Sequence, residues 1–328
     1  MTANLPPTPR RIAAVCLAVP LLVAFALWAF TWPAARLAPH DLPIGVAGPA
    51  AATAPFEQQL ASHQGAFEIH RYTDGAAARE AVENREVYGA VVAGEAGPEL
   101  YTASAAGPLV AQLLQGVGGK AKLTDVVPAP AGDPRGAVFG AGLLPLVLAG
   151  IASGALVTLL RLRGGAAIGA LLGAAALTGL VAAAIAHSWL GALTGNWSAE
   201  AGVLALTTLA VGATTAGLAA LIGPPGIGLT ALLMVLLGNS FSGVTSAPEL
   251  LPGAARVIGA QLPPGAAGTL LRSVAFFDGA AAAAPLLTLS LWAGLGLAAV
   301  GLAAARRRPA PEAAALAVGE PGQVTTPA

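Results

Sequence analysis

The chain has 328 residues, of which 56% are hydrophobic and 10% charged, with a mean hydropathy of +0.74 and a formal net charge of +0. Soluble domains carry about 25% charged residues, so most of this chain is built for lipid rather than water. A zero net charge offers no global field to nucleic acid or an acidic partner, and the single cysteine, Cys16, excludes an intrachain disulfide.

After a short cytoplasmic N-terminus (1–11), the first apolar run covers 12–32. It follows Arg10 and Arg11 and closes on Trp28 and Trp32, residues suited to a membrane interface. The run is longer than the usual signal-peptide core of about 7–15 residues. A retained anchor is therefore expected, although Ala34 and Ala35 supply the small residues of a cleavage site. Cys16 lies inside this run as an inert thiol.

Residues 33–136 hold more than half of the chain's charged side chains in less than a third of its length. The segments LPIGVAG (42–48), AFEIHRY (66–72), VYGAVVAG (87–94), ELYTASA (99–105) and KLTDVVPAP (122–130) read as strands. PFEQQLASHQ (55–64), GAAAREAVENRE (75–86, with Asp74 as N-cap) and PLVAQLLQGV (108–117) read as helices. Strands alternating with helices predict a small α/β domain. His63 and His70 lack metal-ligand spacing, and Asp74, Glu80, Glu83 and Glu86 read as a solvated helix face. QGVGGKA (115–121) is no phosphate loop, because Leu114 stands where the first glycine belongs and Ala121 where Ser or Thr belongs. The expectation is a chain that is not an enzyme and has no catalytic set, metal site or cofactor of its own.

Five further spans are predicted at 137–160, 165–187, 201–222, 226–244 and 281–304, within a transmembrane domain of 137–305. Gly165, Gly169 and Gly173 form a small-xxx-small face, for packing within the bundle or for a dimer. Thr207, Thr208, Thr214 and Thr215 can bond backbone carbonyls or line a polar path. Asn196-Trp197-Ser198 matches a glycosylation acceptor, a pattern short enough to arise by chance. Intramembrane ionisable residues are nearly absent.

Between the last two spans, residues 238–279 are broken by Pro248, Pro252, Pro263 and Pro264 yet rich in Leu, Val, Ile and Phe. Short amphipathic or re-entrant helices at the outer surface (245–280) are expected, as a vestibule or as a cap on the bundle. Asn239, Ser240, Ser242 and Arg272 are the candidate substrate-pathway residues. Arg272 also suits an anionic headgroup or interfacial anchoring, and Asp278 suits an N-cap of the last span. The tail, 306–328, reads as disordered.

Three basic clusters, Arg10–Arg11, Arg161–Arg163 and Arg306–Arg308, lie on one side if all six spans cross. The predicted fold is thus an α-helical polytopic membrane protein with six transmembrane helices (1+5). It has both termini in the cytoplasm of a bacterial plasma membrane and an extracytoplasmic α/β domain after the first helix.

This layout, with LPIGVAGP (42–49), REVYGAVV (85–92), LTDVVPAPAGDPRGA (123–137), GNSFSG (238–243) and LPPGAAGTLLRSVAFFDGA (262–280), resembles permeases of the type-2 ABC transporter class. The nearest group is the one related to the YhgE/Pip phage infection protein, in a branch from high-GC bacteria. The resemblance implies an exporter of a hydrophobic or amphipathic compound such as a drug, lipid or envelope precursor. It also implies a homodimer or a heterodimer with a second permease, and a separate cytoplasmic ABC ATPase that binds the ATP. The sequence departs from that pattern at its cytoplasmic face. MTANLPPTPRR is too short and Pro-rich for an elbow helix, and the inner loops are only RLRGG (161–165) and GPPG (223–226). The alternative is a non-transporting scaffold, accessory or receptor protein whose outer domain binds an envelope or secretion partner.

Overall fold

The computed structural model describes residues 8–94, 97–119 and 121–306. Arg307, Arg308, the rest of the tail, Glu95 and Lys120 lie outside the described residues.

Helix α1 (Thr8–Ala34) is almost wholly exposed, as a helix surrounded by lipid would be. Cys16 faces outward on it. Near its C-terminal end, Trp28 and Trp32 stack at 5.7 Å, and both meet the edge of Phe241 at 6.2 Å. The two tryptophans therefore fasten α1 to the remainder of the molecule.

The polar region forms one five-stranded sheet, ordered β2-β1-β3-β4-β5. Its strands are β1 (Leu42–Ala47), β2 (Phe67–Tyr72), β3 (Gly89–Gly94), β4 (Gly97–Thr102) and β5 (Lys122–Asp125). β1 runs parallel to β2 and β3, β3 antiparallel to β4, and β4 parallel to β5. Helices α2 (Ala50–Ala61) and α4 (Pro108–Gly118) bury Leu60, Val110 and Leu114 on one face against Leu42, Ile44 and Val46. Helix α3 (Gly75–Glu83) buries Ala78, Ala81 and Val82 on the other, and Asp74 caps it by accepting the Ala77 N–H at 2.9 Å. The last strand stops at Asp125, short of the expected 130, because the Asp125 carboxylate turns back to Ser104. Helix α2 begins before Pro55, which lies inside it instead of opening it.

The apolar half is a bundle of α5 (Ala137–Leu159), α6 (Gly164–Ala183, continued by a π-helical turn Ala184–Trp189), α7 (Trp197–Ile222) and α11 (Ala283–Arg306). With α1, these make five helices long and apolar enough to cross a membrane. The predicted span 226–244 is instead a shorter apolar helix, α8, with seven α-helical residues Pro225–Ala231 followed by a π-helical stretch Leu232–Asn239. It ends before Val244 because Gly243, at φ 64°, turns the chain.

Helix α7 is buried nearly all round, as a central helix must be. Its Thr207, Thr208, Thr214 and Thr215 hydroxyls each donate to the carbonyl four residues back, at 2.7–3.0 Å, so they satisfy themselves within the helix and line no path. Glycines let the neighbours approach. A Cβ at Gly154 of α5 would lie 2.5 Å from the Gly212 carbonyl oxygen, and one at Gly179 of α6 2.5 Å from that of Ala201. The predicted packing glycines are not these. Gly165, Gly169 and Gly173 are exposed, and a Cβ at any of them meets nothing within 4 Å. The face of α6 that packs carries Ala167, Leu171, Ala175 and Gly179.

Candidate functional site

The broken segment decides how the two halves meet. It folds as a short 3-10 turn (Pro248–Leu250), α9 (Gly253–Gln261) and α10 (Pro263–Phe276). Pro263 and Pro264 open α10, where a missing N–H costs no helical bond. The short helices match expectation, and α9 keeps Val257 and Ile258 exposed, but α10 does not stay at a surface. Helix α10 is buried among α5, α7 and α11 and does not lie on a surface. Ala247 and Leu250 enter one core of the sheet domain, and Phe277 enters the other. A segment expected to form a vestibule or a cap on the bundle therefore packs into both cores of the sheet domain.

Polar contacts reinforce this joint. Arg85, left-handed at φ 60° after α3, donates to the Thr269 carbonyl at 3.2 Å and lies 5.3 Å above the Phe277 ring. The Tyr88 hydroxyl donates to the Glu249 carboxylate at 2.5 Å, a charge-assisted bond. Loss of hydration pushes the Tyr88 phenol well above its ordinary value, and the nearby Glu249 charge adds to the shift. Loss of hydration likewise lowers Arg85. The chain leaving α1 is stitched in as well, with the His40 N–H donating to the Glu249 carbonyl and Arg256 donating to the His40 carbonyl.

Arg272 occupies the centre of this joint and is only 4% exposed, so it is neither a headgroup contact nor an interfacial anchor at the surface. One guanidinium nitrogen donates to the Val244 carbonyl at 2.8 Å, and the group lies 4.8 Å over the Phe139 ring. Its Nε is buried without a partner. Guanidinium stays charged in proteins, so a buried donor without an acceptor is costly. Arg272 borders a cleft of about 20 Å³ that it shares with Ser104, Asp133, Arg135, Phe139 and Phe276. Asp133 lines the same cleft, and its Oδ2 accepts the Phe139 N–H at 2.8 Å.

Beyond Phe139 and Val244, which wall both spaces, a cavity of about 560 Å³ runs between α5 and α6. Leu143, Leu146, Leu177, Val181 and Ile185 supply its apolar lining, and among the described residues the only polar side chain along it is Thr178. It spans Val138 to Ala149 on α5, about 16 Å at 1.5 Å per residue. That is roughly half of a bilayer's ~30 Å hydrocarbon core. Leu177, Val181 and Ile185 are exposed at its rim, so the groove opens sideways.

One wall of the groove is held by a pair that sequence reasoning missed. Glu200 is 0% exposed, in the first turn of α7. Its carboxylate accepts the Gly195 N–H at 2.8 Å and meets His187 Nδ1 at 2.8 Å. His187 belongs to the π-helical turn whose neighbours Ile185 and Ala186 line the groove. The expected fourth span began at Ala201 and so left this acid outside the membrane. Asn196 is the N-cap of α7, accepting the Ala199 N–H at 3.1 Å, a structural use for the apparent glycosylation triplet.

The other predicted pathway residues lie elsewhere. Ser242 donates to the Asn239 carbonyl at 2.7 Å, and the Ser240 hydroxyl is enclosed without a partner. Asn239, Ser240 and Ser242 flank Phe241, where α1 is fastened, and none lines the groove. Asp278 sits at φ 48° in a turn well before α11 begins at Ala283, so it does not cap that helix. Among the described residues no cluster of metal-ligating side chains occurs. No protein-family model, curated protein or solved structure matches the chain.

Proposed function

We propose that this protein is the permease subunit of an exporter and that the groove between α5 and α6 receives a hydrophobic or amphipathic compound from the membrane. The observation that carries this reading is the groove itself: about 560 Å³, within the ~300–1,000 Å³ of small-molecule sites, apolar, and open sideways between two helices long and apolar enough to cross a membrane. Its wall is continuous with the joint through Phe139 and Val244, so a shift of the sheet domain would reach it directly.

In this reading α8 completes the sixth crossing. Its end reaches Phe241, beside the C-terminal end of α1, while α11 returns to bring Ala304 beside Gly164 and the Arg161–Arg163 turn. The basic face, with Arg161, Arg163 and Arg306, would then be cytoplasmic and the sheet domain extracytoplasmic, in the plasma membrane. ATP would act through a separate cytoplasmic ABC ATPase, and a second permease copy would complete the pathway.

A second reading, a non-transporting scaffold or receptor, is favoured by the short inner turns at 160–163 and 223–224, which give an ATPase little to grip. Purification of the tagged protein from its native membrane in mild detergent, with mass spectrometry of its companions, separates the two. The exporter reading expects one ABC ATPase whose hydrolysis rate changes in the complex. Envelope or secretion components without an ATPase would contradict it.

A further inference from the structure

Two features of the joint belong together. The first is the buried Arg272, with an Nε–H that finds no acceptor at the edge of the cleft. The second is that the nearby acids are already engaged. Across joint and cleft, Arg85 and the buried Arg272 lie among Glu249 and Asp133. Glu249 is engaged by Tyr88, and Asp133 by the Phe139 N–H. An acceptor from outside the chain would satisfy the Nε–H. The space beside Arg272 is small, about 20 Å³, whereas the space beyond Phe139 is long and apolar. A cavity needs ~10–15 Å³ to admit one water, so the cleft admits one small acceptor, such as a single carboxylate oxygen, and excludes a bulky phosphodiester head.

We propose that groove and cleft form one binding site for a long-chain fatty carboxylate, its acyl chain between α5 and α6 and its head drawn to Arg272. The proposal rests on the groove's being the ligand site of the bundle, and it names the ligand class. The groove's length, roughly one leaflet deep, suits a single acyl chain entering sideways, past Leu177, Val181 and Ile185. Phe139 lines both compartments, with the guanidinium 4.8 Å over its ring. The carboxylate would accept from the Arg272 Nε–H that is otherwise unused, a charge-assisted bond in a site sheltered from water.

The test uses the full chain in a neutral detergent, a long-chain fatty acid carrying a terminal diazirine, and the matched fatty alcohol. Labelled peptides are located by mass spectrometry. The acid is expected to label residues 138–149 and 177–186, and unlabelled fatty acid to compete. Gly142→Phe, at a groove position where a Cβ meets nothing within 4 Å, should lower labelling by both probes about tenfold. Arg272→Gln should lower labelling by the acid about tenfold, equal to about 1.4 kcal/mol, and leave the alcohol's unchanged, which also shows the variant to be folded. Arg272→Lys should restore part of the preference for the acid. If acid and alcohol label the groove equally in wild type and in Arg272→Gln, the anion site is overturned while the groove stands. If neither probe labels the groove, the reading of the groove falls as well. Displacement of the probe by lysophosphatidic acid but not by fatty acid would overturn the choice of carboxylate.

Discussion

Helix α5 takes part in two seams that the same kind of sequence builds in opposite ways. Toward α7, Gly150 and Gly154 bring backbone against backbone, with a Cβ at Gly154 only 2.5 Å from the Gly212 oxygen. Toward the C-terminal half of α6, Gly142 faces empty space, and the helices stand apart around about 560 Å³. A chain rich in Ala and Gly does not pack loosely everywhere, and its gap is local. The closed seam fixes the frame, and polar contacts at the rim hold the open seam apart. In the proposed reading, the gap beside the tightly closed seam is where the ligand sits.

The sharpest way to break this contrast is one substitution made twice on one helix. Gly154→Leu should abolish the α5–α7 contact and most of the folded yield, a loss of about 3 kcal/mol or more from overpacking. Gly142→Leu, with open space before it, should keep the thermal midpoint of the wild type in detergent. Equal effects at the two positions would erase the distinction between the seams.

The next largest effect is expected at the rim. Glu200→Ala would leave the Gly195 N–H and His187 without their buried partner, at a cost of about 3 kcal/mol. Glu200→Gln keeps an acceptor for Gly195 and should cost markedly less. Thermal unfolding followed by near-UV circular dichroism orders the two, and equal stability for wild type and Glu200→Ala would remove the pair from the frame.

Tyr88→Phe addresses the joint, leaving the Glu249 carboxylate without its donor at a cost of about 1–3 kcal/mol. Faster amide exchange should then appear in both β3 and residues 247–250, because the two share one core. Exchange that rises in β3 alone would show that the joint does not couple them. The smallest change is expected at Gly169→Ala, on the exposed face of α6. It should stabilise the chain by up to about 1 kcal/mol through helix propensity, as read by the thermal midpoint. A drop would mean that this face is covered by a second copy.

The sheet domain was legible from the sequence because its signals are local. Alternating AFEIHRY and the Asp74 cap each declare themselves within a few residues, and β2 and α3 form there. The long apolar helices were legible by the same measure, through hydropathy over a window the thickness of a bilayer. Residues 238–279 yielded only their short helices. Their burial depends on pairings such as Arg85 with Thr269, 184 positions apart, which no local pattern encodes. Arg272 was singled out for its charge, but its setting was misjudged, since an arginine near a membrane surface looks the same in sequence whether it meets water or the inside of a joint. The glycines that pack inside the bundle differ from those the spacing picked out, for a related reason. The spacing of Gly165, Gly169 and Gly173 is right for close contact, but only the neighbouring helix determines which small residues are used. Glu200 carried a usable signal, a lone acid heading the apolar run EAGVLALTTLAV, and was passed over because the span was begun at Ala201, four residues after the helix starts at Trp197.

The central claim, that the open seam holds an acyl chain, is most directly tested by electron cryomicroscopy of the full chain in nanodiscs of native lipid extract. The account predicts elongated density between α5 and α6, running from Ala149 past Leu143 and ending against Phe139 and Arg272. A groove closed by side chains, or filled by a helix of a second copy, would contradict it.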